Sequence, residues 1–468
     1  MLFRNFKDHK NKIALICDKL GKFTYNNLIS ESFKLKKIIS EQSFVILVSD
    51  NSILSIIFYI SLIRNNCVIL LIDSKTSKEK ILKIIKNYKS PYLICPSDFF
   101  KKNRLHKKFL FIKDNLDYCV SKNLKKNKTP VNKNLCLLLP TSGTTGSLKY
   151  VRLSKKNLKN NSDSIIDYLK IKSSHRAICT MPITYSYGLS IVNTHLEKGA
   201  SIYVNNQSIM QKTFWQNYKK NKITTLSGVP YMYQIFLKYG LKNLYTPSLK
   251  TLTQAGGKLD ETLTLKIIKF CKSKNLKFIS MYGQTEASPR ISFLDWKYAF
   301  KKNGSIGKNI KSVKIWLEDE NNKKIYTPGK IGEIVIKGKN VCMGYCENVK
   351  DLNKLDENKE VLKTGDLGYF DNDNFFYIHG RKSRIAKVYG IRVSLDDVEK
   401  KLMKIGYEVA CMNYNNIITV FYTLKNKKLD ILKKLAEETG MHDSTFKLQY
   451  ILKIPRNNSG KIDFTKLT

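Results

Sequence analysis

A short apolar run that leads into a loop of glycine and hydroxyl residues constrains this chain most. Residues 137–149 have the sequence Leu-Leu-Leu-Pro-Thr-Ser-Gly-Thr-Thr-Gly-Ser-Leu-Lys. The apolar half predicts a buried strand. The glycines let backbone N–H groups converge, and the hydroxyls and Lys149 add donors and positive charge, a combination that favours a polyphosphate. Because no Gly-Lys-Ser/Thr triplet follows Gly143 or Gly146, the loop is not a Walker loop. A linker of the same composition is the alternative.

Four further segments follow this loop in a fixed order. Residues 281–286 read Met-Tyr-Gly-Gln-Thr-Glu, and residues 363–366 read Lys-Thr-Gly-Asp. Residues 380–392 begin Gly-Arg-Lys-Ser-Arg, and residues 455–461 read Pro-Arg-Asn-Asn-Ser-Gly-Lys. In order and spacing, the five motifs resemble the adenylate-forming (AMP-binding) superfamily, which includes acyl-CoA synthetases, acyl-carrier-protein ligases and peptide-synthetase adenylation domains. The resemblance runs from about Thr24 to Lys461, almost the whole chain.

The chain is strongly basic. Its 468 residues exceed what one core holds, and its formal net charge is +45. Only ten of the 83 basic residues are arginine, and the lysines are scattered, which is typical of biased composition. A nucleic-acid surface would use arginine for bidentate contacts, so we expect no nucleic-acid partner. The excess charge favours encounter with an acidic partner.

The cysteines and the apolar segments indicate a cytoplasmic protein without a membrane span. Cys342 and Cys346 are not joined by a second pair or a histidine cluster, so the ten cysteines are expected to be ordinary thiols of a reducing compartment. The first residues lack the apolar core of a signal peptide. The longest apolar stretch, Ile53–Ile63, is too short to cross a bilayer and predicts a buried helix.

The order of apolar runs predicts an α/β fold. Short runs such as 44–48, 67–72, 92–95, 177–181, 202–204 and 224–227 alternate with lysine-rich amphipathic segments, which is typical of βαβ units on largely parallel sheets. Polar residues 121–133 predict a surface linker, and residues 305–377 predict a β-rich subdomain. The resemblance places a hinge near Ser383. We therefore expect an N-terminal domain over 1–379 and a small, mobile α+β lid over 380–468.

The resemblance implies a two-step reaction. A carboxylic acid would attack ATP in the presence of Mg²⁺, giving an acyl-AMP and pyrophosphate, and a thiol would then form a thioester. The acceptor would be CoA or the phosphopantetheine arm of an acyl carrier protein, which makes the chain an acid–thiol ligase. Transfer to an amine, or activation of an amino acid, is the alternative. A non-enzymatic binding module would have no reason to carry all five motifs.

The resemblance also assigns the nucleotide-binding residues. The phosphates would be held by Thr141, Ser142, Gly143, Thr144, Thr145, Gly146 and Lys149. Tyr282 would stack on adenine, while Ala255 and Gly256 would border the adenine and the acyl group. Asp366 would accept both ribose hydroxyls.

Four residues are expected to act on the reacting groups. Thr285 would contact the α-phosphate, and Glu286 would hold Mg²⁺, which prefers oxygen ligands. Arg381 would reach the ribose or the α-phosphate. Lys461 would bridge the carboxylate and the α-phosphate as negative charge builds.

The acyl pocket is expected to be apolar and aromatic. Its walls would be formed by Tyr185, Tyr187, Gly188, Val229, Tyr231, Met232 and residues around Ala255. Amino-acid-activating relatives usually place an aspartate early in the segment 184–188, and this chain has none there, which favours a plain or hydroxylated acid. An acidic acyl carrier protein would match the charge of +45, so it is the expected acceptor. Ser383 departs from the usual Asp or Lys of the hinge position.

Overall fold

The computed structural model describes the chain in two compact units. It describes residues 2–107, 109–115, 117–124, 129–140, 149–205, 207–388, 391–414, 417–439, 441–456 and 462–467. Of these described residues, those within 2–140, 149–314 and 337–362 form the first unit. Those within 315–336 and 363–467 form the second. The predicted boundary at residue 380 and the mobility of the segment after it stay predictions.

Helices and strands alternate through most of the first unit and recur in the second. The helices are α1 (Tyr25–Lys36), α2 (Ile53–Arg64), α3 (Lys78–Tyr88), α4 (Ser97–Lys102), α5 (Lys155–Leu169), α6 (Ser186–Glu197), α7 (Lys212–Lys220), α8 (Pro230–Tyr239), α9 (Glu261–Ser273), α10 (Leu395–Lys404) and α11 (Lys428–Thr439). The first strands are β1 (Ile13–Cys17), β2 (Gly21–Thr24), β3 (Phe44–Ser49), β4 (Val68–Asp73), β5 (Tyr92–Pro96), β6 (Phe109–Asn115), β7 (Tyr118–Asn123), β8 (Leu135–Pro140) and β9 (Tyr150–Ser154). The next are β10 (Arg176–Cys179), β11 (Ser201–Val204), β12 (Thr225–Gly228), β13 (Thr251–Gln254), β14 (Lys277–Gly283), β15 (Arg290–Leu294), β16 (Ser305–Asn309), β17 (Val313–Glu318) and β18 (Lys324–Ile325). The last are β19 (Gly332–Gly338), β20 (Tyr345–Cys346), β21 (Val361–Phe370), β22 (Phe376–Arg381), β23 (Ile385–Val388), β24 (Ile391–Ser394), β25 (Val409–Tyr414), β26 (Ile417–Tyr422) and β27 (Phe446–Tyr450).

Two sheets with parallel centres build the first unit, as predicted. One runs in the order β16-β15-β14-β13-β12-β10-β11-β1-β2, and its strands from β14 to β1 are parallel. The other is eight-stranded, in the order β20-β9-β8-β4-β3-β5-β7-β6, with β8, β4, β3 and β5 parallel. In both sheets, antiparallel strands flank the parallel ones on either side. Since parallel strands end at the same edge of a sheet, the segments that follow them meet there.

The helix α2 confirms the predicted buried helix. Every residue from Ile53 to Ile63 is buried, so the helix is apolar all round and lies inside the main core cluster. It begins at Ser52, whose hydroxyl accepts a hydrogen bond from the Ser55 N–H at 3.3 Å. Among the helices of the described residues, none is both long enough and apolar enough to cross a membrane.

The predicted surface linker over 121–133 is wrong at its start. Residues 121–123 end the strand β7, and Ser121 is fully buried. Its hydroxyl donates to the Leu93 carbonyl at 3.0 Å, across the antiparallel pair of β7 and β5. The sheet supplies partners for these polar groups, so their polarity did not mark a loop. Residues 125–128 lie outside the described residues.

The second unit is rich in strands and ends in an α+β part. Five of its strands lie in the order β18-β17-β19-β21-β22, which confirms the predicted β-rich region. The strands β25, β26 and β27 form a separate sheet, with β26 parallel to β27. Helices α10 and α11 share one apolar cluster with that sheet, through Val398, Leu402, Val420 and Ile431.

Candidate active site

One tyrosine contacts both a lysine that the resemblance assigns to the phosphates and the glutamate that it assigns to Mg²⁺. The Lys149 Nζ atom lies 3.9 Å from the centre of the Tyr345 ring. The Tyr345 hydroxyl donates to Glu286 Oε1 at 3.0 Å. Pairing of Tyr345 with Val151, across β20 and β9, fixes this arrangement because Lys149 directly precedes β9. The expected phosphate lysine and the expected Mg²⁺ ligand therefore lie on either side of one phenol.

The phenol is held in its donating form. Burial, and then the charge of the neighbouring Glu286 carboxylate, raise the pKa of Tyr345. A protonated phenol can donate to one oxygen of the Glu286 carboxylate and leave the other carboxylate oxygen for a cation. The sequence analysis missed Tyr345. Its position inside Cys342-Met-Gly-Tyr-Cys346 was considered only for the spacing of the two cysteines.

The Thr-Glu pair sits on a short 3-10 helix directly after β14. This helix covers Thr285–Ala287. The Thr285 hydroxyl is buried and lies 3.2 Å from the hydroxyl of Ser186, the first residue of α6. The Glu286 carbonyl accepts from the Cys342 N–H at 2.8 Å. Tyr282 is half-buried near the end of β14. The backbone around both predicted catalytic groups is therefore fixed by long-range contacts.

Gly256, Tyr185 and Val229, which are predicted to line the adenine and acyl sites, lie together. Gly256 has φ +87°, a conformation that favours glycine. A Cβ there would lie 2.4 Å from the Tyr185 hydroxyl and 3.2 Å from Val229 Cγ1. The preceding residue, Ala255, is buried, and its N–H donates to the Gly228 carbonyl at 3.3 Å. The missing side chain at Gly256 thus leaves room for the tyrosine hydroxyl.

The other predicted pocket residues differ in their surroundings. Gly188 packs against backbone, because a Cβ there would lie 2.3 Å from the Pro182 carbonyl oxygen and 2.6 Å from that of Met181. On α8, Met232 is buried while Tyr231 is 45% exposed. Gly188 therefore shapes the turn into α6, and its part in an acyl pocket stays a prediction, as do those of Tyr231 and Met232.

Gly256→Ala should weaken acid binding selectively. The new methyl group must displace the Tyr185 hydroxyl, so we expect the KM for the acid to rise by about tenfold, equivalent to roughly 1.4 kcal/mol of binding. Gly21→Ala is the matched control, since Gly21 has φ +79° with no atom within 4 Å of a built Cβ. In both variants the free energy of unfolding should fall by about 1–2 kcal/mol, because a side chain disfavours the left-handed backbone conformation. Steady-state kinetics and thermal unfolding check this, and an unchanged KM in Gly256→Ala would contradict it.

The predicted ribose residues pair within the second unit. Asp366 and Arg381 are register partners across β21 and β22. Arg381 Nε lies 3.2 Å from Asp366 Oδ1; the aspartate is 8% exposed, while the arginine side chain is 56% exposed. Beside them, Lys382 Nζ lies 2.8 Å from Glu333 Oε2. A buried acceptor next to a guanidinium suits a hydroxyl and an adjacent phosphate.

Several predicted residues lie outside the described part of the chain. They are Thr141, Ser142, Gly143, Thr144, Thr145, Gly146 and Lys461. Their roles stay predictions.

Sequence comparison identifies related enzymes. Residues 2–346 match the family model of AMP-binding enzymes. The chain is 26% identical over 343 residues to oxalate–CoA ligase of Saccharomyces cerevisiae, covering 70% of this chain and 62% of that ligase. It is also 26% identical over 339 residues to 2-succinylbenzoate–CoA ligase of Listeria innocua, covering 70% and 68%. The match thus spans less than two thirds of the yeast ligase.

Solved structures share the fold. O-succinylbenzoate coenzyme A synthetase of Bacillus subtilis, in complex with AMP, superposes with a TM-score of 0.78 at 22% identity, over 97% of this chain and 95% of that one. The same synthetase with ATP and magnesium ion gives 0.76 at 21% identity, over the same shares. The predicted α/β fold is confirmed, and the two relatives compared above are named as CoA ligases. This chain belongs to the family of AMP-binding enzymes.

Proposed function

We propose that this chain adenylates a carboxylic acid with ATP and Mg²⁺ and then forms a thioester on CoA. The acid displaces pyrophosphate from ATP, giving an acyl-AMP, and the CoA thiol displaces AMP from it. The relatives, named as CoA ligases, support both steps. The solved synthetase with ATP and magnesium ion supports the choice of cofactors.

The observation that carries the proposal is the Lys149–Tyr345–Glu286 arrangement. Bringing a carboxylate to a triphosphate requires positive charge and donors around the phosphates. Lys149 supplies a positive charge, and Glu286 an oxygen ligand for Mg²⁺. The tyrosine between them holds the carboxylate by one oxygen. Thr285, one residue earlier, presents a hydroxyl donor for the α-phosphate. In this proposal Asp366 holds the ribose hydroxyls and Arg381 neutralises nearby phosphate charge.

An acyl carrier protein is the second candidate for the acceptor. The net charge of +45 favours it, because carrier proteins are typically acidic. CoA is also anionic, so charge does not separate the two acceptors. The names of the relatives favour CoA, which we therefore take as the acceptor.

Parallel thioester assays test the acceptor. With a turned-over acid, ATP and Mg²⁺, CoA should yield a thioester with a kcat/KM at least equal to that for a holo-carrier protein from the same source. Both should be measured at about 0.05 and 0.5 M salt, because screening weakens attraction between exposed charges. A carrier preference of about tenfold or more at low salt that shrinks at high salt would favour the second candidate. AMP formation with neither thiol would contradict the thioester step.

A further inference from the structure

A buried arginine lies next to the predicted acyl pocket without a counter-ion. Arg290 begins β15 and is only 3% exposed. Its Nε atom is buried and has no hydrogen-bond partner. In the described part of the chain, no aspartate or glutamate forms an ion pair with it. A buried positive charge is costly unless an anion accompanies it.

The guanidinium is surrounded by tyrosines. Its Cζ lies 4.3 Å from the centre of the Tyr187 ring. Its charge and a hydrogen bond oppose the rise in the pKa of Tyr168 that burial causes. Burial raises the pKa of Tyr185 to about 12, and Arg290 opposes that rise as well. Tyr185 is the residue whose hydroxyl fills the space beside Gly256. Arg290 therefore lies beside the segment predicted to form the acyl pocket.

The tyrosines do not account for the arginine. The Tyr187 hydroxyl already shares a hydrogen bond of 2.8 Å with Thr253 Oγ1. The Tyr168 hydroxyl lies 2.8 Å from Met281 Sδ, and its ring stacks on Phe293 with centres 4.1 Å apart. Neutral phenols do not replace a counter-ion.

A buried arginine, Arg152, and a partly buried one, Arg384, show how this chain compensates a guanidinium that is shielded from water. Arg152 also leaves its Nε unpartnered, but its Nη2 lies 2.7 Å from Glu357 Oε2, and it donates to four carbonyl groups. Arg384 pairs with Asp396 and, at 2.5 Å, with Glu399. Arg290 differs from both because none of the described aspartate or glutamate side chains pairs with it.

We propose that Arg290 binds a second anionic group of the acid substrate, so that the preferred substrate is a dicarboxylic acid. One carboxylate is adenylated and the other pairs with the guanidinium, which binds carboxylates through two parallel hydrogen bonds. The Tyr185 and Tyr187 rings flank that second group. The inference rests on the proposed function and adds the substrate class to it.

Matched pairs of acids test the substrate class. Pyrophosphate exchange into ATP should be measured with succinate against butanoate, glutarate against pentanoate, and phthalate against benzoate. In each pair a second carboxylate is present in one acid only. The best dicarboxylic acid should exceed its partner by at least about tenfold in kcat/KM, or 1.4 kcal/mol. A preference for the monocarboxylic partners would overturn the inference and leave adenylation intact. If none of the acids supported exchange, the proposed function itself would fail.

Variants separate recognition from a structural role. Arg290→Met keeps a long side chain without charge, so it should raise the KM for the dicarboxylic acid and abolish the preference, while the monocarboxylic acid keeps its kcat/KM. Arg290→Lys should retain part of the preference. Arg176→Met is the control, since Arg176 is half-buried and bonded to Ser201 and Asn221, and it should keep the wild-type preference. Equal loss for both acids in folded Arg290→Met would overturn the inference. If Arg290→Met does not fold, the decision rests on Arg290→Lys, where an undiminished preference would overturn it.

Discussion

Lys461→Ala should slow adenylation by on the order of 10²-fold or more, the scale of losing one charge aimed at the transition state. The resemblance places Lys461 where it bridges the acid and the α-phosphate as the two anions come together. It also places this lysine on a lid that leaves the nucleotide before the thiol attacks. Thioester formation from preformed acyl-adenylate should therefore proceed at a near normal rate.

Lysine is abundant in this chain, so the control must be another lysine nearby. Lys466 lies five residues further on, on the exposed side of a 3-10 helix that covers Phe464–Lys466, and pairs with Asp463 at 3.7 Å. Lys466→Ala should leave both half-reactions unchanged. Single-turnover rates for each half-reaction provide the measurement. Equal loss in both steps for Lys461→Ala would contradict the assignment of this lysine to adenylation alone.

Glu286→Gln should raise the Mg²⁺ concentration needed for half-maximal adenylation by on the order of tenfold or more. The amide keeps the shape of the side chain and can still accept from the Tyr345 hydroxyl, which lies 3.0 Å from Oε1. It removes the negative charge that a hard cation requires. The rate at saturating Mg²⁺ should fall as well, because the metal neutralises charge on the phosphates.

Titration of Mg²⁺ against the rate of pyrophosphate exchange measures this effect. Glu261→Gln is a suitable control, since Glu261 lies on the exposed first turn of α9 and pairs with Lys258 at 3.3 Å. It should leave the titration unchanged. The same titration curve for Glu286→Gln and wild type would show that the metal is held by other groups.

Local apolar patterning predicted much of the fold. The runs at 44–48, 67–72, 92–95 and 202–204 became the buried strands β3, β4, β5 and β11, and Ile53–Ile63 became a buried helix. Such segments are identifiable because both faces are apolar. Ser121 shows where this fails. Its strand borders a parallel centre, and the Ser121 hydroxyl donates to the carbonyl of Leu93, 28 positions earlier in the chain.

The candidate site likewise contains residues that the sequence predicted and residues that only the structure reveals. Motif residues such as Glu286 and Asp366 were predicted because each lies in a short ordered signature. Tyr345 lies 59 positions from Glu286, and its role depends on the pairing of β20 with β9. Arg290 lies four residues after the motif at 281–286, yet its lack of a counter-ion becomes visible only when its burial and its neighbours are known. Contacts between distant segments carry information that neither residue type nor local spacing contains.

Acid-dependent exchange of labelled pyrophosphate into ATP tests the central claim most directly, because it requires reversible formation of an acyl-AMP and no thiol. The wild-type protein should catalyse exchange only when Mg²⁺ and a suitable acid are both present, and Lys461→Ala should reduce the rate by about 10²-fold. Absence of exchange across a broad panel of mono- and dicarboxylic acids, or exchange at the same rate without any acid, would contradict the assignment of this chain as an acid-adenylating enzyme.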